Sequence, residues 1–347
     1  MSRRILFAIR SKLGDTLISY QCVRAWIDRH PNDQVTLLTR ADYAALLSDE
    51  PGLRVIGFSS RLAMRARLLW LRVTEPAFDV LAVLWGSGPP IAAIGRGVRA
   101  RRKVAWTRRF APAVFEEAAL PADHLLVDPA ACTIRAFAPD FEAPRALDIP
   151  SLRRRRDATP SRRAIGVVPI ADEARRNLDR PSLDMLVTSI RERHPGAPIR
   201  LFVNPGNAGS EAFTTQALPG GCELRRFRDL RALVGEYLEL SAWYGTDTGL
   251  YHLAAAMGIP ATVFFGPTQP HKIIMPAQTN TRVHRLAALG TDHCEVKSCR
   301  RPACLHGAVA AFAGRPAATP LDETPIECPL RVAGAEVPQT LADLSPA

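Results

Sequence analysis

Residues 244–268 read YGTDTGLYHLAAAMGIPATVFFGPT, and this stretch decides the fold. A small polar turn leads into an alanine-rich helical segment, which Gly258 and Pro260 end, and a buried strand follows at 261–265. Parallel α/β sheets are built from such strand, turn and helix units. Amide groups at the start of the helix, together with the positive end of its dipole, favour a bound phosphate. The stretch therefore predicts a parallel α/β unit that carries an anion site.

The expected ligand contacts in this turn are five consecutive or nearly consecutive residues: Thr246, Asp247, Thr248, Gly249 and His252. His252 lies one helical turn beyond the start of the helix, near enough to donate a hydrogen bond to the same anion. Gly245 and Gly249 are expected to let a ligand approach the backbone. The structural alternative is an Asp247 side chain that caps the helix, with His252 packed in the core.

The alternation of strands and helices extends along most of the chain. In the first half we expect strands at 5–9, 35–39, 54–58 and 79–84, with helices at 16–30, 42–48 and 61–72. In the second half we expect strands at 164–168, 199–203, 242–244 and 261–265, with helices at 182–194, 229–241 and 248–257. The pattern predicts two Rossmann-like α/β domains facing across a cleft, with parallel sheets and helices on both faces of each sheet.

The expected domains are 1–150 and 164–290, since 347 residues suit two cores. Between them, residues 148–163 read DIPSLRRRRDATPSRR, a polar and highly charged stretch typical of a linker. The segment 291–347 is rich in Cys, Pro and Ala and is left unassigned.

Composition excludes several classes of protein. No apolar run reaches the length of about 18 residues that a membrane span needs, and the run 5–9 is too short for a signal peptide, so a cytoplasmic protein is expected. The seven cysteines, three of them isolated, fit a reducing compartment. The net charge of +11 suggests an anionic partner. No nucleic-acid-binding module accompanies that charge, so nucleic acid is not the expected partner.

A second motif, Ser11-Lys12-Leu13-Gly14-Asp15, follows the first strand and precedes the first helix. Gly14 is expected to allow a tight turn and the close approach of another molecule, with Lys12 beside it. Asp15 has two interpretations. It is either the N-cap of the helix or a carboxylate that accepts a proton from an attacking hydroxyl.

Both motifs resemble those of the ADP-heptose:lipopolysaccharide heptosyltransferases and their relatives, glycosyltransferase family 9, which have the GT-B fold. The first is similar to the family's strand-(S/K/R)-LGD-helix opening. The second is similar to its (G/S)-x-DTG-x-x-HLAAA-x-G-x-P segment and the GPT-x-P that follows, here at 266–270. Residues 78–106 are similar to a third helix-and-strand block. The resemblance covers residues 4–270.

This resemblance implies an inverting transfer of a sugar from a nucleoside-diphosphate donor to a lipopolysaccharide-core or related glycolipid acceptor. ADP-heptose is the favoured donor. Asp15 is then the general base, and the donor pyrophosphate is held by Asp247, Thr248, Gly249 and His252. This chemistry is expected to need no metal or other cofactor, because the helix terminus and Arg176 can do the electrostatic work. The protein is expected to be cytoplasmic and to associate with the surface of the inner membrane.

The chain departs from the family pattern in the loop that follows strand 164–168. The family's lysine falls on Arg176, which keeps the positive charge and can bind phosphate through two N–H groups. Its tryptophan falls on Leu178, and one of its glycines falls on Ile170. Glu211 is the nearest match to the glutamate that binds the donor ribose. A nucleotide-activated sugar is therefore better supported than ADP-heptose itself.

A zinc site is one interpretation of four late cysteines that have two histidines nearby: Cys294, Cys299, Cys304 and Cys328, with His293 and His306. Their four-residue gaps are wide for a structural zinc site. We therefore favour ordinary reduced thiols.

Two basic stretches lie in the first half. The helix 61–72 has an apolar face that we expect to pack on the core (Leu62, Ala66, Leu69 and Val73) and a charged face in solvent (Arg61, Arg65 and Arg72). The stretch 96–109 contains seven basic residues, among them Arg99, Arg101 and Arg102. We expect this second stretch to attract a phosphorylated glycolipid in an anionic membrane.

Two other functions suit the same fold. A sugar-nucleotide epimerase or hydrolase binds the donor and needs no acceptor base, and a catalytically silent binding protein needs the phosphate turn alone. The joint presence of Asp15, Asp247 and His252 favours glycosyl transfer. The base and sugar of the donor, the acceptor hydroxyl and the oligomeric state are left open by the sequence.

Overall fold

The structure is a computed structural model, and it describes residues 2–86, 88–107, 113–121, 125–207, 210–211, 218–227, 229–266, 268–285 and 303–315. The chain divides into two compact units. Unit 1 comprises residues 1–154 and 271–278, and unit 2 comprises residues 155–270 and 279–347. Among the helices of these ranges, none has both the length and the apolar character to cross a membrane.

Unit 1 is built on a six-stranded parallel sheet with strand order β3-β2-β1-β4-β5-β6. Its elements, in chain order, are β1 (Arg4–Arg10), α1 (Leu13–Arg29), β2 (Gln34–Arg40), α2 (Ala41–Leu47), β3 (Leu53–Phe58), α3 (Arg61–Thr74), β4 (Phe78–Gly86), α4 (Pro89–Gly97), β5 (Ala100–Ala105), β6 (Glu116–Glu117) and α5 (Asp128–Arg135). The central strand β1 is buried along residues 5–9, as expected for a parallel sheet covered by helices on both faces.

Unit 2 repeats this design in a second six-stranded parallel sheet, with order β12-β11-β10-β7-β8-β9. Its elements are β7 (Ala164–Val168), α7 (Arg180–Arg193), β8 (Ile199–Val203), β9 (Glu223–Arg226), α8 (Leu230–Leu238), β10 (Leu240–Thr246), α9 (Gly249–Ala256), β11 (Ala261–Phe265), α10 (Pro270–Ile273), β12 (Thr281–Arg285) and α11 (Ala303–Phe312). Residues 271–273 of α10 belong to unit 1. The expectation of an α/β chain with two parallel sheets is confirmed.

The stretch 148–163, which was predicted to be a linker, contains the boundary between the two units after residue 154, and it also includes a helix, α6 (Pro150–Asp157). Leu152 and Arg156 of this helix are buried. The Arg156 guanidinium donates a hydrogen bond of 2.8 Å to the carbonyl of Leu240 at the start of β10. A charged side chain is thus used as a buried donor, which composition alone does not indicate.

The face of α3 that was expected to pack on the core is the wrong one. Met64, Leu68 and Leu71 are the buried side chains, and they join the apolar cluster of the sheet. Leu62 and Leu69 point to solvent instead. Both sets follow helical spacing, so periodicity cannot distinguish them. The rotation of the helix against the sheet decides which set is buried.

Gly245 in β10 is needed for strand packing, which corrects the expectation that it admits a ligand. A Cβ atom there would lie 2.6 Å from the carbonyl oxygen of Val168 and 2.7 Å from the ring of Trp243. The space on this side of the strand is therefore occupied by the protein itself.

We expect Gly245→Ala to lower the free energy of unfolding by about 1–3 kcal/mol, because the backbone of β7 must shift to make room. Urea unfolding measures this change. Gly235→Ala in α8 is the matched control, since a Cβ there meets no atom within 4 Å. That control should stabilise by about 0.5–1 kcal/mol, because alanine favours the helix. Equal effects of both variants would contradict the packing argument.

Candidate functional site

The turn 246–248 joins β10 to α9 in unit 2. Thr248 is the N-cap of α9, and its hydroxyl oxygen accepts a hydrogen bond of 2.9 Å from the amide of Leu250. Thr248 is therefore the cap of the helix. The structural alternative, in which the Asp247 side chain is the cap, is wrong in this respect. At the other end of α9, the amides of Gly258 and Ile259 donate hydrogen bonds to carbonyls of the last helical turn. Gly258 has a φ of +73°, so the predicted helix end is confirmed.

Arg176 reaches this turn from a part of the chain that is distant in sequence. Its Nη1 donates to the Asp247 carboxylate at 3.0 Å and to the Asp247 backbone carbonyl at 3.2 Å. A second carboxylate, that of Glu173, lies 3.1 Å from Nη2. Both Arg176 and Asp247 are mostly shielded from solvent, so this ion pair is stronger than an exposed one. The guanidinium is thereby held at the N-terminus of α9.

The loop that carries Arg176 closes on itself. The amide of Leu178 donates to the carbonyl of Pro169 at 2.9 Å, and the amide of Ala171 donates to the Asn177 side chain at 2.7 Å. Ile170 and Leu178, which replace the family's glycine and tryptophan, are both buried. The departures from the family pattern are therefore apolar side chains of the unit 2 interior. Sequence analysis missed Asn177 and Glu173, although an Asn beside the key Arg is a typical loop-closing residue.

His252 is buried beneath the turn, and burial lowers the pKa of its imidazole to about 4. The charge of Arg176 acts in the same direction, and the Asp247 carboxylate opposes it. The ring is therefore neutral at pH 7. Its Nδ1 has no hydrogen-bond partner within the described residues, and the same holds for the buried hydroxyl of Thr246. Unpaired buried polar atoms of this kind indicate positions for a ligand group or a water molecule.

The lowered pKa of His252 predicts a loss of stability in mild acid. The unfolded chain takes up a proton at this ring near pH 6.5, whereas the folded chain does so near pH 4. Between these values the unfolded state binds more protons, so the free energy of unfolding falls as the pH falls. We expect His252 to contribute a loss of about 2 kcal/mol between pH 7 and pH 5. Urea unfolding at both values measures it.

His252→Gln is the control for this titration, because glutamine stays neutral over the same range. The variant should lose stability by about 2 kcal/mol less than the wild type between pH 7 and pH 5. A parallel pH dependence of the two proteins would show that the ring does not titrate as described.

Glu211 is an exposed residue of the segment that follows β8. Its neighbours at 208–209 and 212–217 lie outside the described residues. Its contact with a donor ribose stays a prediction.

Asp15 lies in the first turn of α1, directly after β1 at the carboxyl edge of the unit 1 sheet. Its carboxylate is half-buried and accepts a hydrogen bond from the Ser11 hydroxyl. The N-cap of α1 is Lys12, which is exposed, so Asp15 is not the capping residue. Gly14 is the second residue of the helix and does not form a tight turn, which corrects that expectation.

The zinc ligand set cannot be assembled from the described residues. Cys294, Cys299 and Cys328 lie outside them, and Cys304 is buried in α11. Within the ranges given above, no group of three or more Cys, His, Asp or Glu side chains is suitably placed for a metal ion. His306 of α11 instead lies 2.8 Å from the Ser182 hydroxyl through its Nδ1.

Comparisons with known proteins concern the fold and the turn 246–248. Residues 192–304 match the family model "Glycosyltransferase family 9 (heptosyltransferase)". This span contains the turn 246–248 and α9. No curated protein matches the chain in sequence.

Three solved structures share the fold over most of the chain. A family 9 glycosyl transferase from Veillonella parvula DSM 2008 has a TM-score of 0.65 at 13% identity, over 81% of this chain and 85% of that chain. E. coli heptosyltransferase WaaC with ADP has a TM-score of 0.64 at 18% identity, over 81% of this chain and 92% of that chain. E. coli ADP-heptose lps heptosyltransferase II has a TM-score of 0.64 at 18% identity, over 89% of this chain and 98% of that chain.

At these identities the structural likeness shows the GT-B-type α/β fold, and the family model accounts for the residues around the turn. Two parallel six-stranded sheets, the matched span and the turn itself agree with one another. Residues 192–304 of the chain are therefore similar to glycosyltransferase family 9 of the heptosyltransferase type, and the chain shares the fold of solved heptosyltransferases over most of its length.

Proposed function

We propose that this glycosyltransferase moves a sugar, with inversion, from a nucleoside-diphosphate donor to a lipopolysaccharide-core or related glycolipid acceptor. ADP-heptose is the favoured donor. The observation that carries the proposal is the guanidinium of Arg176 held at the N-terminus of α9. A positive charge and a helix terminus at one point suit a diphosphate better than any neutral ligand.

The donor site acts on the leaving group. As the bond between the anomeric carbon and the diphosphate oxygen breaks, negative charge grows on the diphosphate. Arg176 and the amide groups at the start of α9 are already oriented, so they stabilise this charge without rearranging. The neutral ring of His252 can donate one further hydrogen bond without adding a second charge. In this proposal the charge of Arg176 and the dipole of α9 together stabilise the leaving group.

The acceptor side of the reaction is assigned to Asp15. The acceptor hydroxyl attacks the anomeric carbon, its proton passes to the Asp15 carboxylate, and the nucleoside diphosphate leaves with the bonding electrons. Attack from the side opposite the leaving group inverts the anomeric centre. The Ser11 hydroxyl fixes one carboxylate oxygen, which orients the base.

The test is a donor screen on the purified protein. Thermal shift with ADP, UDP and GDP identifies the nucleotide, and mass spectrometry of truncated lipopolysaccharide with the matching sugar nucleotides identifies the product. We expect ADP to raise the Tm most, with about 2.7 kcal/mol of stabilisation at one hundred times its Kd. A nucleotide-dependent shift without product for any donor and acceptor would favour the silent binding protein. Product without inversion would overturn the mechanism.

A further inference from the structure

The outer face of α3 in unit 1 is apolar. Among the described residues, the large hydrophobic side chains that are exposed all belong to this helix: Leu62 at 77%, Leu69 at 63%, Trp70 at 39% and Val73 at 74%. Single exposed apolar residues are common on soluble proteins. Their concentration on one helix is not, and a contiguous apolar patch marks a surface that meets another phase or partner.

Arginines flank this apolar stripe on both sides. With about 100° of rotation per residue, Arg61, Arg65 and Arg72 fall between the buried face and the stripe on one side, and Arg67 falls on the other. All four are exposed, and the helix contains no acidic residue. In the described part of the chain, none of the four forms an ion pair with a carboxylate. Their charge is therefore available to an external anion.

The basic stretch 96–109 is less available than its sequence suggested. Arg99 donates to the carbonyl of Glu75 at 2.6 Å, and Arg102 lies 2.6 Å from the Glu116 carboxylate. Arg101 lies 3.5 Å from Asp79. Arg108 and Arg109 lie outside the described residues. The site of membrane contact expected there is better supported by α3.

We propose that the outer face of α3 lies in the headgroup region of an anionic lipid bilayer. The stripe of Leu62, Leu69 and Val73 enters the boundary of the acyl chains, and the arginines extend to lipid phosphates beside it. Trp70 lies at the edge of the stripe, where its ring spans the apolar and polar layers as tryptophan does at membrane interfaces. The apolar stripe matches the acyl chains of a lipid surface, and the arginines that border it match the anionic headgroups.

The position of α3 connects this surface with the proposed chemistry. The helix begins shortly after β3 ends at Phe58, so its first turn lies at the carboxyl edge of the sheet. Asp15 follows β1 at the same edge. A glycolipid anchored in the bilayer would then present its headgroup on the side of unit 1 that carries the base. This connection rests on the proposed function, whereas the binding to lipid does not.

The test is flotation of the full chain with vesicles of phosphatidylcholine alone and vesicles with phosphatidylglycerol in equal part. We expect binding to the anionic vesicles. Arg61→Gln/Arg65→Gln/Arg72→Gln should weaken it by about a hundredfold, since each basic residue contributes about fivefold. The matched control removes the same net charge from exposed arginines elsewhere (Arg154→Gln/Arg155→Gln/Arg231→Gln) and should bind like the wild type.

The apolar stripe has its own variant and its own reporter. Leu62→Ser/Leu69→Ser/Val73→Ser should weaken binding by about tenfold or more, with an unchanged Tm because the three side chains are exposed. Brominated lipid should quench part of the tryptophan fluorescence, and Trp70→Phe should remove that quenching while the protein still floats. Quenching that persists in Trp70→Phe would overturn the assigned orientation.

The outcomes separate this inference from the proposed function. Loss of vesicle binding in the serine variant, with full transfer to a water-soluble acceptor, supports α3 as the lipid-binding surface. Equal binding of the charge variant and its matched control would overturn it. A second result would also overturn it: the wild type does not bind vesicles, size-exclusion chromatography shows that it is a dimer, and the serine variant is a monomer. A second copy of the chain would then cover α3.

Discussion

Replacing Asp15 with asparagine should lower kcat by about 10²–10⁴-fold, the range that a positioned general base contributes. The amide has nearly the shape of the carboxylate but cannot take the proton from the acceptor hydroxyl. Asp15 belongs to unit 1 and the nucleotide groups belong to unit 2, so the Kd for ADP should stay unchanged. Steady-state transfer to truncated lipopolysaccharide measures kcat, and calorimetry with ADP measures the Kd.

Asp49→Asn is the matched control for this substitution. Asp49 is exposed and, like Asp15, has its carboxylate near a serine hydroxyl, with Ser48 Oγ at 3.2 Å. It should turn over like the wild type. Equal turnover by Asp15→Asn and the wild type would mean that another group accepts the proton. Loss of both turnover and ADP binding would point to a structural role for Asp15.

The sequence was most informative where local signals and chemistry coincide. In the turn 246–248 a strand, a capping residue and a glycine-terminated helix follow one another without interruption, so local rules alone define the geometry. The strands 164–168, 199–203 and 261–265 were predicted with the bounds that the structure has. Each is a short, fully or nearly buried run between clear breaks, which is the easiest pattern to recognise.

Features that depend on tertiary contacts were not predictable in the same way. The burial of Met64 in place of Leu62 depends on how α3 rotates against its sheet, and both residues fit the helical period. α6 lies inside an arginine run, and its buried Arg156 donates to the carbonyl of Leu240, which is far away in sequence. α11 was not predicted, since its stability comes from packing against α7, β11 and β12 and its flanks have no clear period.

The candidate site was predictable in part for a similar reason. Arg176 was located by counting along a family pattern, and its contact with Asp247 requires the two strands β7 and β10 to be neighbours in the sheet. Only the fold supplies that adjacency. Gly245 was assigned to a ligand because glycine permits close approach, and the structure shows that the approaching group is the carbonyl of Val168.

Replacing Arg176 with alanine should lower kcat/KM by about 10²–10³-fold, as loss of one oriented donor to a developing charge does. The loss is expected in both binding and catalysis, because in the proposed function the guanidinium would contact the diphosphate both before and during its departure. The ADP-dependent rise in Tm should shrink accordingly. Transfer kinetics over a range of donor concentrations, with calorimetry for ADP, measure the two effects.

Arg176→Lys distinguishes this electrostatic role from a structural one. Lysine is the residue that the family pattern has at this position, and it keeps the charge next to Asp247 while losing the second N–H donor. We expect it to retain more activity than the alanine variant, because it keeps the charge, but less than the wild type, because it loses the second donor. Arg180→Ala, which removes the half-buried partner of Asp184, serves as the control for loss of charge in the same unit. If the alanine and lysine variants are equally impaired, shape and not charge governs the site, and the leaving group must be stabilised mainly by the amides at the start of α9.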